Sequence, residues 1–222
     1  LRLLHGTLDR RPARILEAGC GTGAFAQKLA LEFPCPIHLA DLAGEGLRLA
    51  RGRGLPALVQ ADIQALPLAS DSYDCVLSLD VLIHLAKGRE LDAMAELARV
   101  LRPGGLLMIR VAALDLLRSR HSAFTYERQR FTRTRLMRTA EQCGLEPLRC
   151  TYLNTLLLPV ALFRFRVWEP LLRKPASSGV QPVPEWLNGA LRRMLKLECA
   201  WLARGRNFPA GQSLILFARK RV

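Results

Sequence analysis

A carboxylate placed just before three glycines is the feature of this chain that most directly suggests chemistry. Glu17 precedes Gly19, Gly21 and Gly23, and Cys20 lies inside the same short stretch. Glycine readily adopts positive φ and carries no side chain that would keep a ligand away from the main chain. Glu17 would repel a pyrophosphate, but it could hold an ammonium group through charge-assisted hydrogen bonds. We therefore predict a turn that binds a cationic nucleoside bearing an amino acid group.

The same glycines leave one alternative open. The pattern Gly19-x-Gly21-x-x-Ala24 also fits the relaxed fingerprint of dinucleotide-binding proteins, and Asp41 follows at the spacing of the acidic residue that holds the ribose. An oxidoreductase that binds NAD would use this turn in the same way. The negative charge of Glu17 disfavours that alternative.

Short apolar runs alternate with stretches of helical periodicity through the first half of the chain. Repeated strand and helix patterns of this kind are typical of a doubly wound parallel sheet, an α/β fold. Ligands bind such sheets at the carboxyl ends of the strands, where Glu17, Asp41, Asp62 and the stretch Ser78 to Asp80 are expected to lie. The predicted strands in this half are 14–18, 37–40, 58–60, 75–79 and 106–111.

Three stretches carry a family resemblance. They are Glu17-x-Gly-x-Gly-x-Gly, the stretch Asp71-Ser-Tyr-Asp74 ahead of the fourth strand, and Arg102-Pro-Gly-Gly-Leu ahead of the fifth. Together they resemble the class I S-adenosylmethionine-dependent methyltransferases, of the small bacterial type with a methyltransferase-11-like domain, over residues 10–111. The resemblance implies a mainly parallel, Rossmann-like sheet of seven strands whose closing strand, 213–218, runs antiparallel. It also implies S-adenosyl-L-methionine as cofactor and S-adenosyl-L-homocysteine as product.

The resemblance further implies roles for individual residues. Asp41, next to Leu42, would accept hydrogen bonds from the ribose hydroxyls, although it could equally cap the following helix. Asp62 would accept a hydrogen bond from the exocyclic amine of adenine, and Ile63 would cover one face of the ring. The complete predicted cofactor set is Glu17, Gly19, Cys20, Gly21, Gly23, Asp41, Leu42, Asp62, Ile63 and Ser78.

Methyl transfer from a sulfonium is an in-line displacement that needs no nucleophile from the protein. Positioning supplies most of the acceleration, and a general base is required only when the acceptor is a hydroxyl or a similarly weak acid. His84, after the fourth strand, and His121, in an arginine-rich segment, are the candidate catalytic bases, with a purely structural histidine as the alternative for each. The six cysteines form no C-x-x-C pair, so we expect no metal site.

The charge distribution divides the chain into two halves. Residues 1–109 hold 12 basic and 12 acidic residues, whereas residues 110–222 hold 21 basic and 7 acidic ones, which accounts for the whole net charge of +14. We expect one domain, 1–222, with a cofactor-binding half at 1–111 and a substrate-side half at 112–222. The basic half suits an anionic substrate, partner or membrane, but arginine-rich composition bias would produce the same pattern.

The expected acceptor is a small molecule or a lipid-like molecule. Nucleic acid is the alternative partner of the basic half, but the fourth strand is followed by Ser78-Leu-Asp-Val rather than the Asn/Asp-Pro-Pro-aromatic motif of enzymes that methylate base nitrogens. We therefore consider a nucleic-acid acceptor the weaker hypothesis.

A helical insertion is expected at about 153–205. Its first part, Leu153 to Arg173, is apolar but interrupted by Pro159, Arg164 and Arg166, so it is too short to span a bilayer. We expect it to pack on the core or on a second subunit of a homodimer, with an anionic membrane interface as the alternative. No export signal is visible, so we expect a cytoplasmic protein, with peripheral membrane attachment left open.

Overall fold

The computed structural model describes residues 1–118, 122, 124–168 and 184–222. Its centre is a seven-stranded sheet with strand order β3-β2-β1-β4-β5-β7-β6. The neighbours from β3 to β5 pair in parallel, whereas β7 pairs antiparallel with both β5 and β6. The predicted fold class is therefore confirmed. The strands are β1 Ile15–Ala18, β2 Ile37–Asp41, β3 Leu58–Gln60, β4 Tyr73–Leu79, β5 Leu101–Ala112, β6 Leu145–Leu153 and β7 Ser213–Lys220.

Helices connect the parallel strands and cover both faces of the sheet, which is why the central strands are mostly apolar, with Glu17 and Ser78 as buried polar exceptions. α4 illustrates the local signals: Glu90 and Asp92 occupy its first turn and Arg99 its last, as the helix dipole favours. α5 begins where the Thr132 side chain accepts a hydrogen bond from the Arg135 backbone N–H, 3.3 Å away. The helices are α1 Arg2–Thr7, α2 Ala24–Glu32, α3 Gly44–Gly52, α4 Glu90–Val100, α5 Arg133–Gln142, α6 Leu158–Phe163 and α7 Glu185–Ala203.

The core lies on the two faces of the sheet because successive strand residues point to opposite sides. On one face, Leu16 and Val76 belong to a large buried cluster with Met94 of α4. On the other face, Leu77 packs in a second cluster with Leu29 of α2. Both clusters anchor β1 and β4, so the turns that follow these two strands start from a rigid base.

The predicted start of the fifth strand differs from the structure. β5 begins at Leu101, which pairs with Tyr73, and regular pairing resumes only between Leu106 and Cys75. Arg102 to Gly105 lie in the irregular stretch between these pairs. The Pro-Gly-Gly sequence, which follows the end of α4 at Val100, therefore lies inside the fifth strand rather than ahead of it.

The helical insertion packs less closely on the core than expected. In the described part of its first segment only Ala161 of α6 is buried, whereas Val160 and Phe163 are each 59% exposed. Trp168, at the end of a π-helical turn that follows α6, is also exposed. The expectation that this segment packs on the core or on a second subunit therefore stays a prediction, as does the membrane alternative. Within the described ranges, no helix is both long and apolar enough to span a bilayer.

Candidate functional site

The glycine turn after β1 leaves an opening at the carboxyl edge of the sheet. Gly19 has φ of +86° and packs so tightly that an added Cβ would lie 1.9 Å from Cγ2 of Val81. Gly21 has φ of +52°, and nothing lies within 4 Å of the place where its Cβ would be. The tight contact fixes the turn against the loop after β4, and the open space above Gly21 lets a ligand approach the main chain.

Asp41 holds this turn in place. One of its carboxylate oxygens accepts a hydrogen bond from the Gly21 N–H at 2.6 Å, and the other accepts one from the Ala43 N–H at 2.8 Å. Ala43 is the residue that precedes α3, so Asp41 also supports the start of that helix. A carboxylate has about four acceptor sites, so Asp41 keeps capacity for ribose hydroxyls. The structure thus shows that Asp41 supports the start of α3, and the side chain can still accept hydrogen bonds from a ligand.

Glu17 lies one layer beneath the turn. The side chain is only 2% exposed, and one carboxylate oxygen has no hydrogen-bond partner among the described residues. Burial, followed by the nearby charge of Asp41, raises the pKa of Glu17 to about 8, although a hydrogen bond from the Ala26 backbone acts in the opposite direction. A buried carboxylate that lacks a cation is costly. An ammonium group placed close to it would lower this cost, so Glu17 fits the amino acid end of the predicted cofactor.

Asp62 and Ile63 lie at the end of β3, on the far side of the opening. Asp62 accepts a hydrogen bond from the Gln64 N–H at 2.9 Å, and the Gln64 side-chain amide lies 3.1 Å from both carboxylate oxygens. Ile63 is 7% exposed. The polar edge and the apolar side chain therefore stand side by side, as recognition of a flat, nitrogen-rich ring requires.

These elements enclose a cleft of about 580 Å³, a volume within the usual range for small-molecule sites. Its lining includes Asp41, Asp62 and Asp80, but no Lys or Arg side chain from the described part of the chain. Of these three aspartates, only Asp80 forms an ion pair with a described residue, Arg110. The cleft thus favours a cationic ligand and offers no positive side chain to a pyrophosphate.

The structure brings most of the predicted residues to this cleft. The predicted residues that line it are Gly19, Gly21, Asp41, Leu42, Asp62, Ile63 and His84. Glu17, Cys20, Gly23 and Ser78 do not line it.

Two of the residues outside the cleft, Cys20 and Ser78, have no role in ligand binding that the structure shows; the Cys20 thiol donates only to the backbone oxygen of Gly21, at 3.7 Å. Burial, followed by the charges of Asp41 and Glu17, raises the pKa of the Cys20 thiol to about 12, so this cysteine stays protonated and is no nucleophile. Ser78 is fully buried within β4, and its hydroxyl has no partner among the described residues. Their predicted contact with a cofactor stays a prediction.

The loop after β4 supplies residues beyond the predicted cofactor set, although sequence reasoning already placed Leu79 and Asp80 at this edge of the sheet. Leu79, Asp80, Val81 and Leu85 line the cleft together with His84, which is exposed at the end of the short 3-10 turn Leu82–His84. Asp80 has φ of +58°, an uncommon value for a residue other than glycine. The run Leu79 to Leu85 carries no polar pattern beyond Asp80 and His84, so only its position after a central strand could have pointed to it.

A buried polar cluster supports this loop from below. Gln129 is fully buried, and its side-chain amide donates to the backbone oxygens of Leu82 at 3.2 Å and Leu85 at 3.0 Å. Glu90 and Arg135 complete the cluster, because the Arg135 guanidinium donates to both the Glu90 carboxylate and the Gln129 side-chain oxygen. Sequence reasoning missed Gln129, since nothing in the local pattern distinguishes it.

The second candidate base, His121, lies outside the described residues. Within the described ranges, no three His, Cys, Asp or Glu side chains group as a metal site would require. Of the two candidate bases, His84 is the one that the structure places at the cleft.

Comparison with known proteins identifies the family. A family profile described as a methyltransferase domain matches residues 16–109, from β1 to β5. The chain carries a class I S-adenosylmethionine-dependent methyltransferase domain. The turn after β1, Asp41, Asp62 and the loop after β4 all lie inside the matched range of this methyltransferase domain, so the cleft belongs to it.

Sequence relatives differ in what they are named for. A malonyl-[acyl-carrier protein] O-methyltransferase of Enterobacter lignolyticus is 36% identical over 155 residues, which are 68% of this chain and 61% of the relative. A fatty-acid O-methyltransferase of Mycolicibacterium smegmatis is 37% identical over 116 residues, 49% of this chain and 41% of the relative. A Homo sapiens protein named probable tRNA methyltransferase 9B is 35% identical over 111 residues, 48% of this chain and 23% of the relative. The chain spans less than two thirds of the length of each of these relatives.

Solved structures show the fold over the whole chain. A Haemonchus contortus phosphoethanolamine N-methyltransferase 2 in complex with S-adenosyl-L-methionine superposes with a TM-score of 0.62 at 18% identity, covering 99% of this chain and 51% of the other. The [4+2]-cyclase SpnF superposes with a TM-score of 0.63 at 19% identity, covering 99% and 79%. Because a cyclase shares the architecture, the fold by itself does not decide the reaction.

Proposed function

We propose that this protein transfers a methyl group from S-adenosyl-L-methionine to a small-molecule or lipid-like acceptor, with a carboxylate as the accepting group. The observation that carries this proposal is the cleft beside the glycine turn, whose described lining holds three aspartates and no basic side chain. A sulfonium and an ammonium both suit that environment. The bound cofactor supplies an electrophilic methyl group, and this chain supplies position and charge.

Each cleft residue then has a task in binding. The backbone at Gly21 lets the amino acid end approach the turn, and Glu17 stabilises its ammonium from beneath. Asp41 accepts hydrogen bonds from the ribose, while Asp62 accepts one from the adenine amine and Ile63 packs on the ring. These contacts fix the cofactor along the carboxyl edge of the sheet, as in other open α/β proteins.

A carboxylate acceptor requires no catalytic base. Carboxylates are already deprotonated at neutral pH, so their methylation requires alignment with the sulfonium but no proton removal. His84 is then dispensable for proton transfer and would only contact the acceptor. The relatives named for malonyl-[acyl-carrier protein] and fatty acids, both acids that become methyl esters, support this acceptor class.

Cofactor choice is tested by titration calorimetry. We expect S-adenosyl-L-homocysteine to bind tightly and NADH to bind weakly, because the described lining of the cleft offers no partner for a pyrophosphate. Asp62→Asn should weaken S-adenosyl-L-homocysteine binding about tenfold by removing a charge-assisted hydrogen bond, since the amide still accepts from Gln64. Glu141→Gln, on the exposed side of α5, is the matched control. Tight NADH binding would overturn the cofactor assignment.

The acceptor is tested with a donor that carries a labelled methyl group. Fatty acids, malonyl thioesters of acyl-carrier protein and total tRNA are offered separately, and the products are analysed by mass spectrometry. We expect a base-labile methyl ester on a carboxylic acid. The second candidate function, RNA methylation, is favoured by the tRNA methyltransferase relative and by the basic half of the chain. Label incorporated into tRNA alone would establish it instead.

A further inference from the structure

Helix α7 carries two apolar stripes rather than one. Leu187, Leu191 and Leu202 face inward, and Leu202 is only 2% exposed. About 100° around the helix from these residues, Trp186 is 75% exposed and Leu197 is 67% exposed, and Trp201, whose ring stacks on Phe208, is 38% exposed. Positions 186, 197 and 201 are separated by eleven and four residues, so they fall on one face of the helix. We call these three residues the outer stripe.

The outer stripe is accompanied by positive charge. Arg192, Arg193 and Lys196 are exposed on α7, and none of them forms an ion pair with a described residue. The guanidinium of Arg206, just beyond the helix, lies 4.3 Å from the centre of the Trp201 ring. The exposed part of α7 thus combines large apolar side chains with basic ones, and only Glu185 adds an exposed negative charge.

The inner side of α7 is fixed, so the outer stripe has a defined orientation. Glu198 is 4% exposed and accepts hydrogen bonds from the backbone N–H groups of Asn154 at 2.5 Å and Thr155 at 2.8 Å. These two residues lie between β6 and α6. The helix is therefore attached to the sheet through its inner face, and the outer stripe lies on the exposed flank beside that face.

We propose that α7 binds side-on to an anionic lipid bilayer, with the outer stripe inserted between the headgroups. The stripe extends about 22 Å along the helix at 1.5 Å per residue, which makes it a line that suits a flat surface rather than a pocket. Tryptophan prefers the boundary between headgroups and acyl chains, and an amphipathic helix with basic flanks binds anionic interfaces. Val160, Phe163 and Trp168, which are also exposed nearby in the chain, add apolar surface on α6 and the turn after it.

Two other occupants fit less well. A symmetric contact between two copies of α7 would place Arg192, Arg193 and Lys196 against the same three residues, and this repulsion would have no compensating acid. A nucleic acid would satisfy the basic residues but would leave Leu197 in contact with phosphates and sugars. An anionic bilayer satisfies both the charges and the apolar side chains. This inference is independent of the acceptor assigned above.

Vesicle flotation of the full chain tests the proposal. We expect flotation with phosphatidylcholine vesicles that contain phosphatidylglycerol, little flotation with phosphatidylcholine alone, and release at high salt. Leu197→Ser should weaken partitioning about tenfold, whereas Leu31→Ser, at an exposed site on α2, should leave it unchanged. Arg193→Gln should weaken it about fivefold, and Arg138→Gln, on α5, much less.

Tryptophan emission separates insertion from adsorption. Lipids brominated on the acyl chains should quench the emission of the wild-type protein, and Trp186→Phe should remove a large part of that quenching. No flotation at low salt, or flotation without any quenching, would overturn the proposal. So would an unchanged affinity in Leu197→Ser, or sedimentation that shows a dimer disrupted by that substitution. Binding of S-adenosyl-L-homocysteine, measured in parallel, should be equal in all these variants, so a failure here leaves the proposed function standing.

Discussion

Replacing Glu17 by glutamine should make the protein more stable and a weaker binder of its cofactor. Burial raises the pKa of Glu17 to about 8 in the folded chain, compared with 4.5 for an unperturbed glutamate. Between these two pH values the folded state holds a proton that the unfolded state has released. Unfolding of the wild type therefore becomes easier as the pH rises through this window, and the neutral amide of Glu17→Gln avoids that loss.

The magnitude follows from the distance between the two pKa values. For each pH unit between 4.5 and about 8, the free energy of unfolding of the wild type falls by about 1.4 kcal/mol. At pH 7 the difference between Glu17→Gln and the wild type should have grown by about 3 kcal/mol relative to its value at low pH. Any fixed cost of placing an amide beneath the turn is the same at every pH, so the slope of the difference isolates the carboxyl group.

Urea unfolding of both proteins across about pH 5 to pH 8 measures this slope. Other titrating groups occur in both chains and cancel in the difference. Glu141→Gln, which changes an exposed carboxylate, should run parallel to the wild type. Parallel curves for Glu17→Gln as well would show that Glu17 does not carry a raised pKa, and the electrostatic reasoning about the site would then be wrong.

Cofactor binding should respond in the opposite direction. If the ammonium of S-adenosyl-L-homocysteine binds the ionised form of Glu17, Glu17 must release a proton on binding. The affinity of the wild type should then increase with increasing pH, by up to about tenfold per pH unit, until the pH reaches about 8. Calorimetry in buffers of different ionisation enthalpy counts that proton. Glu17→Gln should bind more weakly and without proton release. Equal affinity in the two proteins would remove Glu17 from the site and leave it a purely structural carboxyl.

Two further predictions concern the parts that shape the cleft. Gly19→Ala should lower the free energy of unfolding by roughly 2 to 4 kcal/mol, because φ is +86° and the new Cβ would lie 1.9 Å from a Val81 methyl group. Urea unfolding measures this loss, and the additional substitution Val81→Ala should recover part of it. No recovery in the double variant would refute the contact between these two residues. Gln129→Ala should cost roughly 2 to 4 kcal/mol by leaving two backbone oxygens and Arg135 without their partner. Gln129→Glu keeps the oxygen that accepts from Arg135 but replaces the donating amide with a carboxylate that faces two backbone oxygens and Glu90, so it should lose at least as much stability as Gln129→Ala; a stability close to that of the wild type would contradict this reasoning.

Much of the fold follows from local sequence pattern. The glycine turn and the apolar periodicity after it predict a helix over residues 24–33, and a threonine cap at Thr132 predicts one that runs to Cys143. α2 and α5 agree with these bounds to within a residue, because such signals act over a few residues. The antiparallel closing strand 213–218 was predicted from the family resemblance, and β7 matches it. The packing of the segment 153–173 could not be predicted in this way, since apolar side chains in a sequence do not show whether they pack on the same chain or on another surface.

The sequence by itself determined where a ligand must approach the backbone, because three closely spaced glycines and the acids at successive strand ends are local features. Only the tertiary structure decided which of those residues share one cleft. It placed Glu17 beneath the turn rather than in the cleft, brought Val81 against Gly19 and set Gln129 under the loop that carries His84. These contacts join residues far apart in the chain, and their geometry depends on how both sheet faces pack, which no local pattern encodes.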